Sequence, residues 1–370
     1  MRQAIYKLKY QICRQRKILA KMKNASLSFK ILPLTITDSD KTPVDVEAIR
    51  KICIKGLDDC PPEDRCIAWL VLSGVFPSRP GNWNQYRGKM VASYQNFTKM
   101  FHVENYIEKV FPNTTNSYKF GFDSNEDNER MVLIHADIVR TVHHIIFLPS
   151  PDHSVEDSKI PKDPLLPFHF HMRRIERILY IFSKMNQSLL YLQGFNELIC
   201  VIYYVMSSSL MYFGNDWLEV EAFSFYIFQN IFSCTQISDL FTMQDKLSLI
   251  HERMDTFMFY IKRHVPKAYK IITDLGIDPL CFGFKWLNLL FAQNHLMPNL
   301  VLIWDALFGH FNDMLDFGYY IGTANIAMIE GSLLPQNYAR TLTILQRTEI
   351  NDVKELLRLA NKFWNDDHRY

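Results

Sequence analysis

The chain has 370 residues, 48% hydrophobic and 14% aromatic, enough apolar material for one large domain or two ordinary ones, so disorder of the whole is excluded. Lys and Arg number 41 against 39 Asp and Glu, a formal net charge of +2, which gives no global reason to expect nucleic acid or an anionic surface as the main partner. Seven cysteines without a CxxC pair read as reduced thiols of a cytosolic protein, and only 13 glycines argue against a turn-rich β architecture.

Residues 1–37 carry nine Lys/Arg and no acid, with Ile5, Leu8, Ile12, Leu19 and Met22 at loosely helical spacing. The segment reads as a basic extension; a transit peptide or a membrane-surface helix shares the pattern, although Ser and Arg are sparse for the former. Pro33 and Pro43 bracket a polar link. From Val44 the pattern turns helical. VDVEAIRKICIKGL reads as a short amphipathic helix ended by Gly56, PPEDRCIAWLVLSGVFP as a second opened by Pro61-Pro62 and closed at Gly74, and NQYRGKMVASYQNFTKMF as a third. The polar, acidic stretch from Pro112 to Arg130 reads as a loop.

The run MVLIHADIVRTVHHIIF follows, and then an excursion over 148–167 in which Pro149, Pro151, Pro161, Pro164 and Pro167 exclude a regular element. Helix resumes at FHMRRIERILYIFSKMNQSLL, pauses from Tyr191 to Gly194, and continues to a charged terminal helix near VKELLRLANKFW. Residues 198–215 and 222–238 carry no charge and approach the length of a membrane span. Their Ser, Asn, Gln and Gly content reads instead as core helices of a large all-α domain.

There is no GxxxxGK[ST], GxGxxG, HExxH or GxSxG, so the chain is not expected to bind a nucleotide, a dinucleotide or a catalytic zinc by itself. His143-His144 and His169/His171 are not expected to share a metal, because adjacent residues of a helix point about 100° apart. Two polar residues in apolar context remain. Asp137, three residues before Arg140, can hold its guanidinium in a fixed pose, or the two can form an ordinary surface ion pair. Gln193 before Gly194 can be a solvated turn residue.

Taken in order, these residues resemble a known family. IHADIVRT is similar to the IxxDxxR motif of TBC domains, which activate Rab-type small GTPases, and YLQGFN to their YxQGMN motif. RCIAWLVLSGVFP resembles the family's RxxxWxxLLG opening, and Trp83 with YRGKMVASY its Trp and Arg-x-x-Tyr helix. DLGIDPLCFGFKWLNLLFAQNHLMPNLVLIWDALF resembles its C-terminal block ending in IWD. RILYIFSKMNQSLLYLQGFNELICVIYYV is like the subgroup typified by the thirteenth TBC family member. The resemblance covers about residues 49–320.

It implies a two-lobed all-α Rab-GAP domain over 44–330, between a basic extension at 1–43 and a helical segment at 331–370. Arg140 matches the family's arginine finger and Gln193 its glutamine finger, both supplied in trans to a GTP-bound Rab-type GTPase. Asp137 is then expected to orient Arg140, and Tyr191 and Asn196 to support the site. Gly194 is expected to place the amide where a Cβ would crowd the incoming switch region. The resemblance further implies an activator, not an enzyme in the strict sense, that works in the cytoplasm and in vesicle trafficking. It needs no cofactor of its own, since GTP and Mg²⁺ belong to the partner, and it has no role for nucleic acid. Peripheral endomembrane contact through the basic N-terminus is a further expectation. The alternatives are a catalytically silent TBC scaffold and a helical adaptor at membranes.

Two positions depart from the family pattern. Phe195 stands where YxQGMN has Met, an apolar exchange expected to be tolerated. Lys285 stands where Arg usually precedes Trp286, losing a fork that could pair with Asp305.

Overall fold

The computed structural model describes residues 28–36, 42–109, 120–149, 165–241, 246–347 and 349–368. The basic helical pattern before residue 28 and most of the proline-rich excursion lie outside the described residues. Among the described residues every regular element is helical. In chain order they are α1 (Val46–Cys53), α2 (Pro62–Leu72), α3 (Trp83–Met100), α4 (Asn125–Arg140), the single turn α5 (Val142–Ile145), α6 (His169–Met185), α7 (Phe195–Ser208) and α8 (Trp217–Cys234). Then follow α9 (Lys246–His264), α10 (Pro266–Asp274), α11 (Gly283–Asn288), α12 (Asn299–Gly309), α13 (Met314–Ile329), α14 (Tyr338–Arg347) and α15 (Val353–Asp367).

The helices pack in two groups. In one, α6 lies against α4, α7 and α8, with α3 on α8; in the other, α13 lies against α9, α11 and α15. Helices α1, α2 and α12 join them, through Trp69 stacked on Phe308 with ring centroids 4.2 Å apart. This is the expected all-α, two-lobed arrangement. The uncharged runs form α7 and α8, both largely buried. Among the described residues, no helix is long and apolar enough to cross a membrane.

The buried faces carry charge as well as hydrocarbon. Glu176 is fully buried and bonds Arg173 at 2.7 Å, the Tyr106 hydroxyl at 2.5 Å and His135 Nδ1 at 2.9 Å. One turn on, the Arg177 guanidinium grips Glu221 through two bonds of 2.6 and 2.7 Å, and the Tyr94 hydroxyl donates to the same carboxylate at 2.7 Å. Each charge is neutralised and hydrogen-bonded, the condition under which burial is tolerated. These networks pin α6 to α3, α4 and α8 in one register.

Two sequence expectations change. The acidic stretch read as a loop up to Arg130 is already helical from Asn125. Ser124 caps the N-terminus, and Glu126 and Asp127 occupy the first turn, where carboxylates complement the helix dipole. Arg130 and Lys184 then neutralise Asp127. Part of the stretch assigned to the N-terminal extension also belongs to the packed core. Ile31 is buried, and the N–H groups of Ile31 and Leu32 donate to the Asp64 carboxylate at 2.9 Å.

Candidate functional site

Arg140 is the last residue of α4, so its side chain leaves the helix where the chain turns, and it is 68% exposed. Asp137, one turn earlier, is buried and holds the guanidinium by a short ion pair. The other oxygen of the Asp137 carboxylate accepts from the Tyr191 hydroxyl at 2.8 Å. Burial and the adjacent carboxylate push the Tyr191 phenol well above its ordinary range, so it remains a donor. One carboxylate thus ties Arg140 to the turn that carries Gln193.

A second set of bonds runs through the backbone of the same two segments. The Thr141 hydroxyl donates to the Asp137 carbonyl at 2.7 Å and accepts from the Asn196 amide at 2.8 Å. The Asn196 side-chain Oδ1 in turn accepts from the Gly194 N–H at 3.0 Å. Gln193 stands between these anchors, exposed and with no hydrogen bond to any described residue. Arg140 and Gln193 both line an open cleft of about 420 Å³, together with Asp137, Gly194 and Asn196. The structure therefore brings together residues that are 53 positions apart in sequence.

Gly194 has φ of +111°, and a Cβ built there would lie 2.8 Å from Leu289 Cδ2. The crowding expected against an incoming partner thus comes first from the chain's own α11 end. Gly194→Ala is expected to cost about 1–3 kcal/mol, as strain at a left-handed position does, measured by urea unfolding. Phe195, the departure from methionine, is buried among Phe182, Phe228, Phe232 and Phe241, so the exchange is absorbed in an aromatic cluster.

Lys285 does not stand in for a partner of Asp305. Asp305 is fully buried and bonds Arg65 Nε, Trp69 Nε1 at 2.9 Å and the Leu57 N–H at 2.8 Å, so its guanidinium comes from α2. Lys285 is exposed and lines the cleft with Arg140 and Gln193.

The cleft wall also contains Glu197 and Gln293, which the sequence did not single out, and His143, which it raised as a metal ligand only to discount it. His143 Nε2 lies 2.9 Å from Glu197 Oε2, His144 Nε2 lies 3.1 Å from the same oxygen, and Gln293 Nε2 donates to Oε1 at 2.7 Å. Burial alone raises the Glu197 pKa, but the two imidazoles beside it outweigh that and hold the carboxyl well below the usual range. Burial pushes the His144 imidazole below its ordinary range, against the opposing pull of Glu197. The expectation that adjacent histidines diverge is not met: their ring centroids are 4.2 Å apart. Both rings rotate about χ1 and χ2 toward one buried anion, which helical spacing alone does not describe. A signal was present in the spacing, since His143 follows Arg140 by three residues and Glu197 follows Gln193 by four. His171 is used differently, between the Tyr203 hydroxyl at 3.0 Å and the Pro149 carbonyl at 2.8 Å.

Residues 167–333 match the family model described as the Rab-GTPase-TBC domain. TBC1 domain family member 13 of Mus musculus is 24% identical over 381 residues, spanning 86% of this chain and 93% of that protein. The Homo sapiens protein of the same name is 23% identical, over 86% of this chain and 94% of its own. Among solved structures, the Ypt/Rab-GAP domain of Gyp1p has the same fold, with a TM-score of 0.66 at 18% identity, covering 90% of this chain and 96% of that one. These matches make residues 167–333 similar to the Rab-GTPase-TBC domain, within a chain that shares the all-α fold of a solved Rab-GAP domain.

Proposed function

We propose that the chain is a GTPase-activating protein for a Rab-type small GTPase, working in the cytoplasm and inserting Arg140 and Gln193 into the active site of its GTP-bound partner. The observation that carries this reading is that both side chains line one open cleft, in which the Asp137 carboxylate ties Arg140 to Tyr191, two residues before Gln193. GTP hydrolysis spreads negative charge over the γ-phosphoryl oxygens and needs an attacking water held in line. A guanidinium is permanently charged and can bridge two phosphate oxygens; a neutral amide can accept from the water and donate to a second atom without adding charge. The partner supplies GTP and Mg²⁺.

Asp137 acts in this scheme by orienting Arg140, and Tyr191, Asn196 and Gly194 by fixing the turn beneath Gln193. The test is a screen of GTP-loaded Rab-type GTPases for stimulated phosphate release, with Arg140→Ala and Gln193→Ala as controls. A GTPase stimulated by the wild type and much less by either variant supports the reading. Binding without stimulation by the wild type identifies a silent scaffold instead.

A further inference from the structure

His143 and His144 begin one turn after Arg140, and Glu197 lies on the first turn of α7, just beyond Gln193. Their three donor atoms lie within 4.8 Å of one another. The two imidazole Nε2 atoms are 2.9 and 3.1 Å from the same carboxylate oxygen. Ligands around a tetrahedral zinc with bonds of about 2.0–2.2 Å are about 3.3 Å apart, so small side-chain shifts open the required space.

A second observation points to a ligand at this place. His144 is 1% exposed, and neither of its ring nitrogens has a hydrogen-bond partner; Nε2 faces Glu197 Oε2 without making an aligned bond. A buried polar group left in that state is costly, and an imidazole nitrogen so placed is available to a cation. Gln293 holds the outer oxygen of Glu197, as groups behind a metal ligand commonly do.

We propose that His143 Nε2, His144 Nε2 and the Glu197 carboxylate form a binding site for a zinc-like divalent cation, with a fourth position open to water from the cleft. Two imidazoles and one carboxylate suit zinc and cobalt; magnesium and calcium require oxygen ligands. His143 is 31% exposed and lines the cleft, which gives the ion a route in. A bound cation bridges the segment after Arg140 to the segment after Gln193 and so holds the two side chains in one relative position. That consequence rests on the proposed activator function, whereas binding itself does not.

The test uses the full chain, stripped with a chelator and alkylated at exposed thiols, since Cys234 and Cys281 are free and exposed. Co²⁺ titration is expected to give the visible absorption of a tetrahedral site at one ion per chain, displaced by Zn²⁺ and not by Mg²⁺. His143→Ala, at the partly exposed ligand, is expected to fold normally by circular dichroism and to bind at least about tenfold more weakly. A folded wild type that takes up no cobalt at one equivalent overturns the proposal. So does a folded His143→Ala with unchanged affinity, which marks adventitious surface binding. Neither outcome depends on GTP hydrolysis, so failure of this site and failure of the activator reading are distinguished.

Discussion

Arg140→Ala is expected to slow stimulated GTP hydrolysis by at least about 100-fold, because a supplied arginine contributes about 10³ to 10⁵ in rate and the docking surface is otherwise retained. The fold should not suffer. Arg140 is 68% exposed, and its partner Asp137 keeps the Tyr191 hydroxyl after the guanidinium is gone. Single-turnover phosphate release at saturating activator, beside the thermal midpoint of the free protein, separates loss of the transition-state contact from loss of structure. Arg140→Lys should lie nearer to alanine than to wild type, since an ammonium keeps the charge without the planar fork. Equal stimulation by wild type and Arg140→Ala overturns the mechanism.

Asp305→Ala is expected to destabilise the protein by about 3–5 kcal/mol, the cost of breaking a buried pair by removing one partner. The change leaves Arg65, the Trp69 indole N–H and the Leu57 N–H facing a space without an acceptor. Burial pushes the Asp305 carboxyl up, and Arg65 with its other donors pulls it back, so the group is held by its partners and not by solvent. Trp69 stacks on Phe308 beside this cluster, at the junction of the two helical groups. Urea unfolding followed by far-ultraviolet circular dichroism measures the loss. Asp305→Asn should lose less, because its amide oxygen still accepts from one of the three donors. A midpoint unchanged by Asp305→Ala shows that the junction is held elsewhere.

Much of the architecture was legible because helices announce themselves locally. Gly56 and Gly74 have φ of +83° and +72° at the ends of the stretches predicted to close there, and Pro61-Pro62 opens α2 as expected. The uncharged runs became α7 and α8 for the same reason, since a helix without a polar stripe has to be covered. The start of α4 was missed because an acidic, Asn-rich run resembles a loop until its cap and its basic partners are in place. Arg130 is a local partner, but Lys184 comes from another helix, and no local window contains it.

The candidate site divides in the same way. Sequence by itself determined which residue types stand at 137, 140, 191, 193, 194 and 196, and their order established the family resemblance, because spacing along a helix and residue chemistry are local properties. Only the tertiary structure decided that Asp137 is shared by Arg140 and Tyr191, and that Arg65 answers Asp305 while Lys285 faces the cleft. It alone turned the adjacent histidines onto Glu197. The physical reason is common to all of these. A buried charge takes its partner from whichever helix packing brings within about 3 Å, and that choice is made by side chains distant in the chain.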